Sequence, residues 1–148
     1  MTDANEPIIR AITFEELPLL HILWDASGLE YRPKGRDAID QLAIERERNR
    51  DGFIGAFIGG ALVGSILATD DGRRGWINRL AVHPHYRGKG MGMALIEEAE
   101  RVLHSHGRQI IAALIEAHNT HSQNLFKRAG YIVMPEVLYF SKRASWDV

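Results

Sequence analysis

The stretch AVHPHYRGKGMGMAL, Ala81–Leu95, sets Gly88, Gly90 and Gly92 at alternating positions between an apolar strand and a run of helical periodicity. The first-turn amides of a helix have no partners within it and lie at the positive end of its dipole. Residues without a β-carbon let an anionic ligand come close to them. A diphosphate suits such a loop; a plain turn is the bland alternative. The dinucleotide fingerprint GxGxxG fails in both registers, because its third glycine falls on Met93 or Leu95. The nucleoside-triphosphate P-loop fails as well, since Lys89 precedes Gly90 and not Ser or Thr.

Downstream of the loop, Met91–His106 places Met91, Leu95, Ala99, Val102 and Leu103 on one face and Glu97, Glu100 and Arg101 on the other, the pattern of an amphipathic helix. Gln109–Ile115 reads as a strand, so Val82, helix and Ile115 form a crossover whose two strands run parallel. Ser122–Ala129 reads as a short helix closed by Gly130, and Tyr131–Val133 and Val137–Lys142 as two final strands around Pro135. Upstream, Trp76–Val82 is a strand after the turn DDGRRG. Two apolar runs joined at Gly59–Gly60 form a hairpin, since the glycine pair supplies positive φ angles. Nearer the start, Ile8–Ile12 is an apolar run. Thr13 and Glu16 have capping-box spacing for a helix to about Asp25, and Asp37–Asn49 is a second, surface helix.

With 148 residues the chain fits one domain, expected to span 1–148. Its net charge of -1 gives no field to attract nucleic acid or anionic lipid. It has no cysteine, which excludes disulfides, thiolate metal sites and a cysteine nucleophile. MTDANEPIIR lacks the basic and apolar segments of a leader, and no apolar stretch is of membrane-spanning length, so the expectation is a cytoplasmic protein without membrane or nucleic-acid partners. The HxH pairs His83/His85 and His104/His106 lack a clear carboxylate partner, and no metal is expected.

Two motifs in order carry a resemblance. Arg87, Gly88, Lys89, Gly90, Met91 and Gly92 match (R/Q)xxGx(G/A) after the strand end LAVHP. Asn119, Ser122, Leu125, Phe126, Gly130 and Tyr131 match the segment NxxAxxLYxxxGF. The chain thus resembles the GNAT superfamily of N-acetyltransferases from Ile8 to Lys142. The resemblance implies a layered α/β (α+β) fold: a mixed, mostly antiparallel sheet with one splayed parallel strand pair and helices on both faces. It implies acetyl-CoA as co-substrate, with the backbone amides from Arg87 to Gly92 on the diphosphate. Leu80, Ala81 and Val82 would pair with the pantetheine arm, Asn119 would bond the same arm, Ser122 would stand beside it, and Phe126 would line the thiol end. For Asn119 a simple helix cap is the other reading, and Lys89 reaches either a phosphate or water.

The implied reaction is direct attack of a primary amine, of a small molecule or a protein, on the acetyl thioester. A backbone amide near Ala81 or Val82 would stabilise the oxyanion. Two side chains that many relatives use are replaced: Asn78 stands where a glutamate base often sits, and Phe126 where a tyrosine acid often does. A thiol of pKa ~8.5 leaves tolerably without an acid. A lysine-like amine needs roughly 4 to 5 kcal/mol to become neutral at pH 7, and an α-amino group about 1 kcal/mol, so the base matters more. Glu116 leads the candidates, ahead of His83, His118 and Glu30, and Asn78 is expected to order a relaying water. Tyr31 and Glu30, in the loop SGLEYRPKG, are expected to line the acceptor pocket, with Asp25 as a second carboxylate; Trp24 and Trp76 are expected in the core. A different acyl-CoA donor, a non-catalytic CoA-sensing module and a homodimer stay open at this point.

Overall fold

A computed structural model describes residues 6–148; residues 1–5, part of the stretch read against a leader, lie outside the described residues. The elements follow as β1 (Ile8–Ala11), α1 (Leu17–Ser27), α2 (Ile39–Arg48), β2 (Phe53–Ile58), β3 (Ala61–Asp70), β4 (Gly75–Val82), α3 (Met91–Ser105), β5 (Ile111–Ala113) and α4 (Thr120–Arg128). Short 3-10 turns, Phe14–Glu16 and Pro84–Tyr86, lead into α1 and follow β4. The strands form one sheet in the order β1-β2-β3-β4-β5, antiparallel except for the parallel pair β4–β5. This is the layered, mixed fold that the motifs implied.

Both faces of the sheet are covered, and strand periodicity decides which residue goes where. Along β2, Phe53 and Phe57 join Leu17, Leu20, Trp24 and Leu42 under α1 and α2, while Ile54 and Ala56 join Leu95, Ile96, Ala99 and Leu103 under α3. Gly64 on β3 lets α3 approach, since a β-carbon there would lie 2.9 Å from the Met91 Sδ. The β2–β3 turn is made by Gly59 and Gly60, with φ of 54° and 83°.

In β4 the alternation breaks. Ile77 packs under α3 and Ala81 under α1, although residues four apart on a regular strand share a face. The register explains it: Leu67 pairs with Asn78 but Ser65 with Ala81, so one extra residue is inserted around Arg79, a bulge. Arg79 is the one described non-glycine residue with positive φ, 54°.

The two final strands expected at Tyr131–Val133 and Val137–Lys142 do not form; the chain runs irregularly there, with a turn closed by Val137 N–H to the Met134 carbonyl at 3.2 Å. Strand propensity is realised only when a neighbouring strand receives the backbone groups, and no strand of the sheet pairs with this segment.

At the other end of the sheet the Thr13–Glu16 spacing is used as predicted. The Glu16 carboxylate accepts the Thr13 N–H at 2.9 Å and a fork from Arg10 at 2.8 and 2.7 Å. The Arg10 bonds, before the Thr13 amide, bring its pKa down to about 2. A folded value below the unfolded one stabilises the fold fully above the unfolded pKa of ~4.3, and that contribution is lost as pH falls toward about 2. Because Arg10 is well exposed, solvent screening limits the effect to about 1 kcal/mol. Glu16→Gln should lower the urea midpoint at pH 7, and the gap to the parent protein should narrow between pH 5 and pH 2.

Candidate functional site

The bulge decides where the site opens. β4 pairs with β5 only through Gly75, Trp76 and Ile77; from Asn78 onward the two strands part while β4 keeps its bonds to β3. The β5-facing edge of Leu80, Ala81 and Val82 therefore borders a cleft of about 660 Å³. Its second wall is the loop Arg87–Gly92 with the start of α3, its third the first turns of α4, and its rim Ser27, Gly28 and Leu29 at the end of α1.

The bulge is braced from two sides. The Arg79 guanidinium forks onto Asp37, Nε to Oδ1 at 3.0 Å and Nη2 to Oδ2 at 2.7 Å, and Asp37 also accepts the Arg32 N–H at 2.8 Å. From below, the Trp24 indole N–H donates to Ser65 Oγ at 3.0 Å, and that hydroxyl donates to the Arg79 carbonyl at 2.9 Å.

Gly88 and Gly90 have φ of 76° and 82°, a region that L side chains rarely adopt. A β-carbon on either would meet nothing within 4 Å. Both positions are thus glycine for backbone conformation and open approach, not for packing. Gly92 differs: its β-carbon would lie 2.8 Å from Leu125 Cδ2, so its bareness lets α4 close on the first turn of α3. The first intrahelical bond of α3 runs from Ala94 N–H to the Gly90 carbonyl at 3.1 Å, and the amides before it have no partner of that kind. Gly90, Met91 and Gly92 border the cleft, where the positive end of the helix dipole also lies.

From α4 and its cap the cleft is lined by Asn119, Thr120, His121 and Ser122 at the first turn, with Leu125 and Arg128 further along the helix. Asn119 caps the helix, its Oδ1 accepting the Ser122 N–H at 3.1 Å. Arg87 also borders the cleft, but its guanidinium is committed: Nε donates to the Val82 carbonyl at 3.1 Å and Nη2 to the Ser27 carbonyl at 2.8 Å, tying the end of α1 to the end of β4. No aspartate or glutamate is among the lining residues, whereas Arg87 and Arg128 are.

The cleft thus gathers Leu80, Ala81, Val82, Arg87, Gly88, Gly90, Met91, Gly92, Asn119 and Ser122 from the residues the motifs singled out. Others lie outside it. Phe126 is buried in the core cluster under α3, edge-on to Tyr131 at 5.0 Å between ring centres. Lys89 is exposed, its ammonium 5.8 Å from the Tyr86 ring centre. Asn78 is half-buried on β4 where the strands part, and Glu116 is exposed beyond β5, its carbonyl accepting the Asn119 N–H at 2.9 Å. Tyr31, also outside the lining, packs on His21 and Trp24, and its hydroxyl donates to Asp25 at 2.7 Å. Burial, then that bond, raise the Tyr31 pKa to about 12. Glu30 is exposed and outside the lining.

Sequence reasoning missed the α1 rim, Tyr86, Met93, Thr120, His121 and Arg128; Gly28, a left-handed C-cap with φ of 77°, was the signal for the rim. Among the described residues no helix is long and apolar enough to cross a membrane, and no group of three or more His, Asp and Glu is arranged to hold a metal.

Comparison with known proteins agrees with this geometry. The family model described as "Acetyltransferase (GNAT) family" matches residues 17–131. An acetyltransferase of Sodalis glossinidius is 33% identical over 141 residues, covering 94% of this chain and 96% of the relative. Among solved structures, the PaiA N-acetyltransferase of Thermoplasma acidophilum in complex with coenzyme A superposes with a TM-score of 0.75 at 22% identity, covering 86% of this chain and 91% of that one. AAC(6')-Iy in complex with the bisubstrate analog CoA-S-monomethyl-acetylneamine gives a TM-score of 0.71 at 20% identity, covering 93% and 99%. At these identities the structural matches speak for the fold, and the family model and the curated relative speak for the lineage: the chain belongs to the GNAT acetyltransferase family.

Proposed function

We propose that this chain is an acetyl-CoA-dependent N-acetyltransferase acting on a primary amine. The observation that carries the reading is one cleft in which an unpaired strand edge, Leu80–Val82, meets the uncapped start of α3 without a carboxylate in the lining. Coenzyme A has a diphosphate and an amide-bearing arm, and the residues present fit both. Gly88 and Gly90 leave the approach open, the amides of the loop and first helical turn donate to anionic oxygens, and Arg128 adds positive charge. The β4 edge offers backbone groups to the amides of the arm, as a neighbouring strand would, and Asn119 stands across from it.

Bound acetyl-CoA would supply an activated acetyl group. The chain would hold that thioester beside a backbone amide at Ala81 or Val82, aligned for attack by a neutral amine. The amine nitrogen bonds to the acetyl carbon, the carbon–sulfur bond breaks, and the thiol leaves as a thiolate. The proton lost by nitrogen passes to water ordered by Asn78, with Glu116 as its terminal acceptor. Such a weak arrangement for proton removal favours acceptors of low pKa, an α-amino group over a lysine side chain.

An assay of thiol release over a panel of amines tests the proposal. The expected result is acceptor-dependent release of coenzyme A, one thiol per acylated amine, rising with pH as the acceptor loses its proton. Saturable binding of coenzyme A without acceptor-dependent release would replace the enzyme with a sensing module.

A further inference from the structure

Beside the open strand edge more positive charge gathers than the carboxylate there can match. Arg79 stands one residue before Leu80, and its charge is answered by the Asp37 fork at 3.0 and 2.7 Å. Asp37 also accepts the Arg32 N–H at 2.8 Å, which brings the loop after α1 against the bulge. The Arg32 side chain gains nothing from that bond: its Nε is buried and has no hydrogen-bond partner. Arg36, in the same loop, donates through Nη1 to the Val148 backbone oxygen at 2.6 Å, and Arg143 Nη1 reaches the same oxygen at 3.4 Å. Loop and tail meet at bare backbone, since a β-carbon on Gly35 would lie 2.6 Å from the Asp147 backbone oxygen. Among the described residues no ion pair includes Arg32, Arg36 or Arg143.

Such a cluster is costly as it stands. Desolvation, then the Arg79 charge, push the Arg36 pKa down, with Arg143 and Arg32 acting in the same direction and Asp37 opposing them. A buried N–H without a partner forfeits the bond that water would have given it. An anion would relieve both costs, because guanidinium groups match carboxylate and phosphate oxygens in paired bonds. The Val148 oxygen, reached by two guanidiniums, marks where an anionic oxygen would sit. Position favours the acceptor over the coenzyme as its source. Leu29 and Leu80 line the cleft, Arg32 and Arg79 are their near neighbours in the chain, and Arg79 lies 5.9 Å from the Trp24 ring centre, on the α1 face of the sheet. The loop Arg87–Gly92 starts α3, which covers the other face.

We propose that Arg32, Arg36 and Arg143 form a subsite for an anionic group, carboxylate or phosphate, carried by the acceptor. The acceptor is then an amine that also bears an acid group, an assignment that rests on the acetyl-transfer reading of the neighbouring cleft.

Dipeptide amides that differ only in that group test it. With coenzyme A bound, calorimetric titration should give glutamyl-alanine amide about 10-fold or greater affinity over glutaminyl-alanine amide, or phosphoseryl-alanine amide the same advantage over seryl-alanine amide. The larger preference names the anion. Arg32→Gln, Arg36→Gln and Arg143→Gln should each cut the preference about threefold or more, with coenzyme A affinity at the parent value, while Arg36→Lys, which keeps the charge, should retain most of it. In the thiol assay the preference should appear in KM and not in kcat. No binding of either acidic peptide, equal affinity for acidic and neutral peptides, or a preference that survives all three glutamine substitutions would each overturn the subsite. Titration needs no turnover, so the two readings fall separately: a preference lost in the variants without thiol release keeps the subsite and removes the enzyme, and release without preference does the reverse.

Discussion

Asp37→Ala should lower the stability of the fold by about 3–5 kcal/mol, the cost of stranding one member of a buried ion pair. The side chains of Asp37 and Arg79 are 6% and 18% exposed, so the guanidinium left behind would have neither its carboxylate nor ready access to water. Against a total stability of about 5–15 kcal/mol, this is a third or more, and the melting temperature should fall by about 10 °C or more. The effect should not stop at stability. Arg79 occupies left-handed backbone, and the Asp37 fork and the Ser65 bond to its carbonyl are what hold it there. Without the fork, the bulge that parts β4 from β5 loses one of its two braces, and thiol release should fall together with stability. Replacing both partners, Asp37→Leu with Arg79→Met, separates the two consequences: removing a buried pair entirely is close to neutral for folding, so melting should recover while turnover stays depressed. Thermal melts and the thiol assay on the single and double variants measure both.

That brace also marks the limit of what the sequence discloses. The loop Arg87–Gly92 and the helix after it were legible because their information is local: bare residues before a strong apolar stripe already specify a helix start with open amides. The parallel crossover was legible for the same reason, a helix between two apolar runs. The bulge was not, because nothing about an arginine announces positive φ; its conformation is imposed by Asp37, 42 residues away, and by Ser65, 14 residues away. The placement of Tyr31 is likewise set by tertiary contacts, since the aromatic faces of His21 and Trp24 and the Asp25 carboxylate draw it onto α1. On α4, motif matching located Asn119, Ser122 and Leu125 in the cleft lining, while the burial of Phe126 is set by its packing under α3 and against Tyr131. The final segment shows the opposite error. Its strand-forming residues are real, but a strand is a relation between two segments, and the second is not supplied within the described chain.

Gly90→Val should weaken coenzyme A binding about 10²- to 10³-fold. A β-branched residue at φ of 82° costs about 1–3 kcal/mol of backbone strain, and relief of that strain would turn the amides of the first helical turn away from the cleft. Each charge-assisted bond so lost removes about 1.5–3 kcal/mol. The new side chain would point into open space at the mouth of α3, where the diphosphate is proposed to lie, and would exclude it directly. Strain alone can be subtracted with a matched control. Gly60, in the β2–β3 turn, has φ of 83° and an equally empty surround, yet lies outside the cleft. Gly60→Val should therefore lose comparable stability and keep its affinity. Calorimetric titration of both variants with coenzyme A, alongside their urea midpoints, decides the matter: equal loss of affinity in the two would mean that the loop matters only for folding, and retained affinity in Gly90→Val would remove the anion cradle from this site.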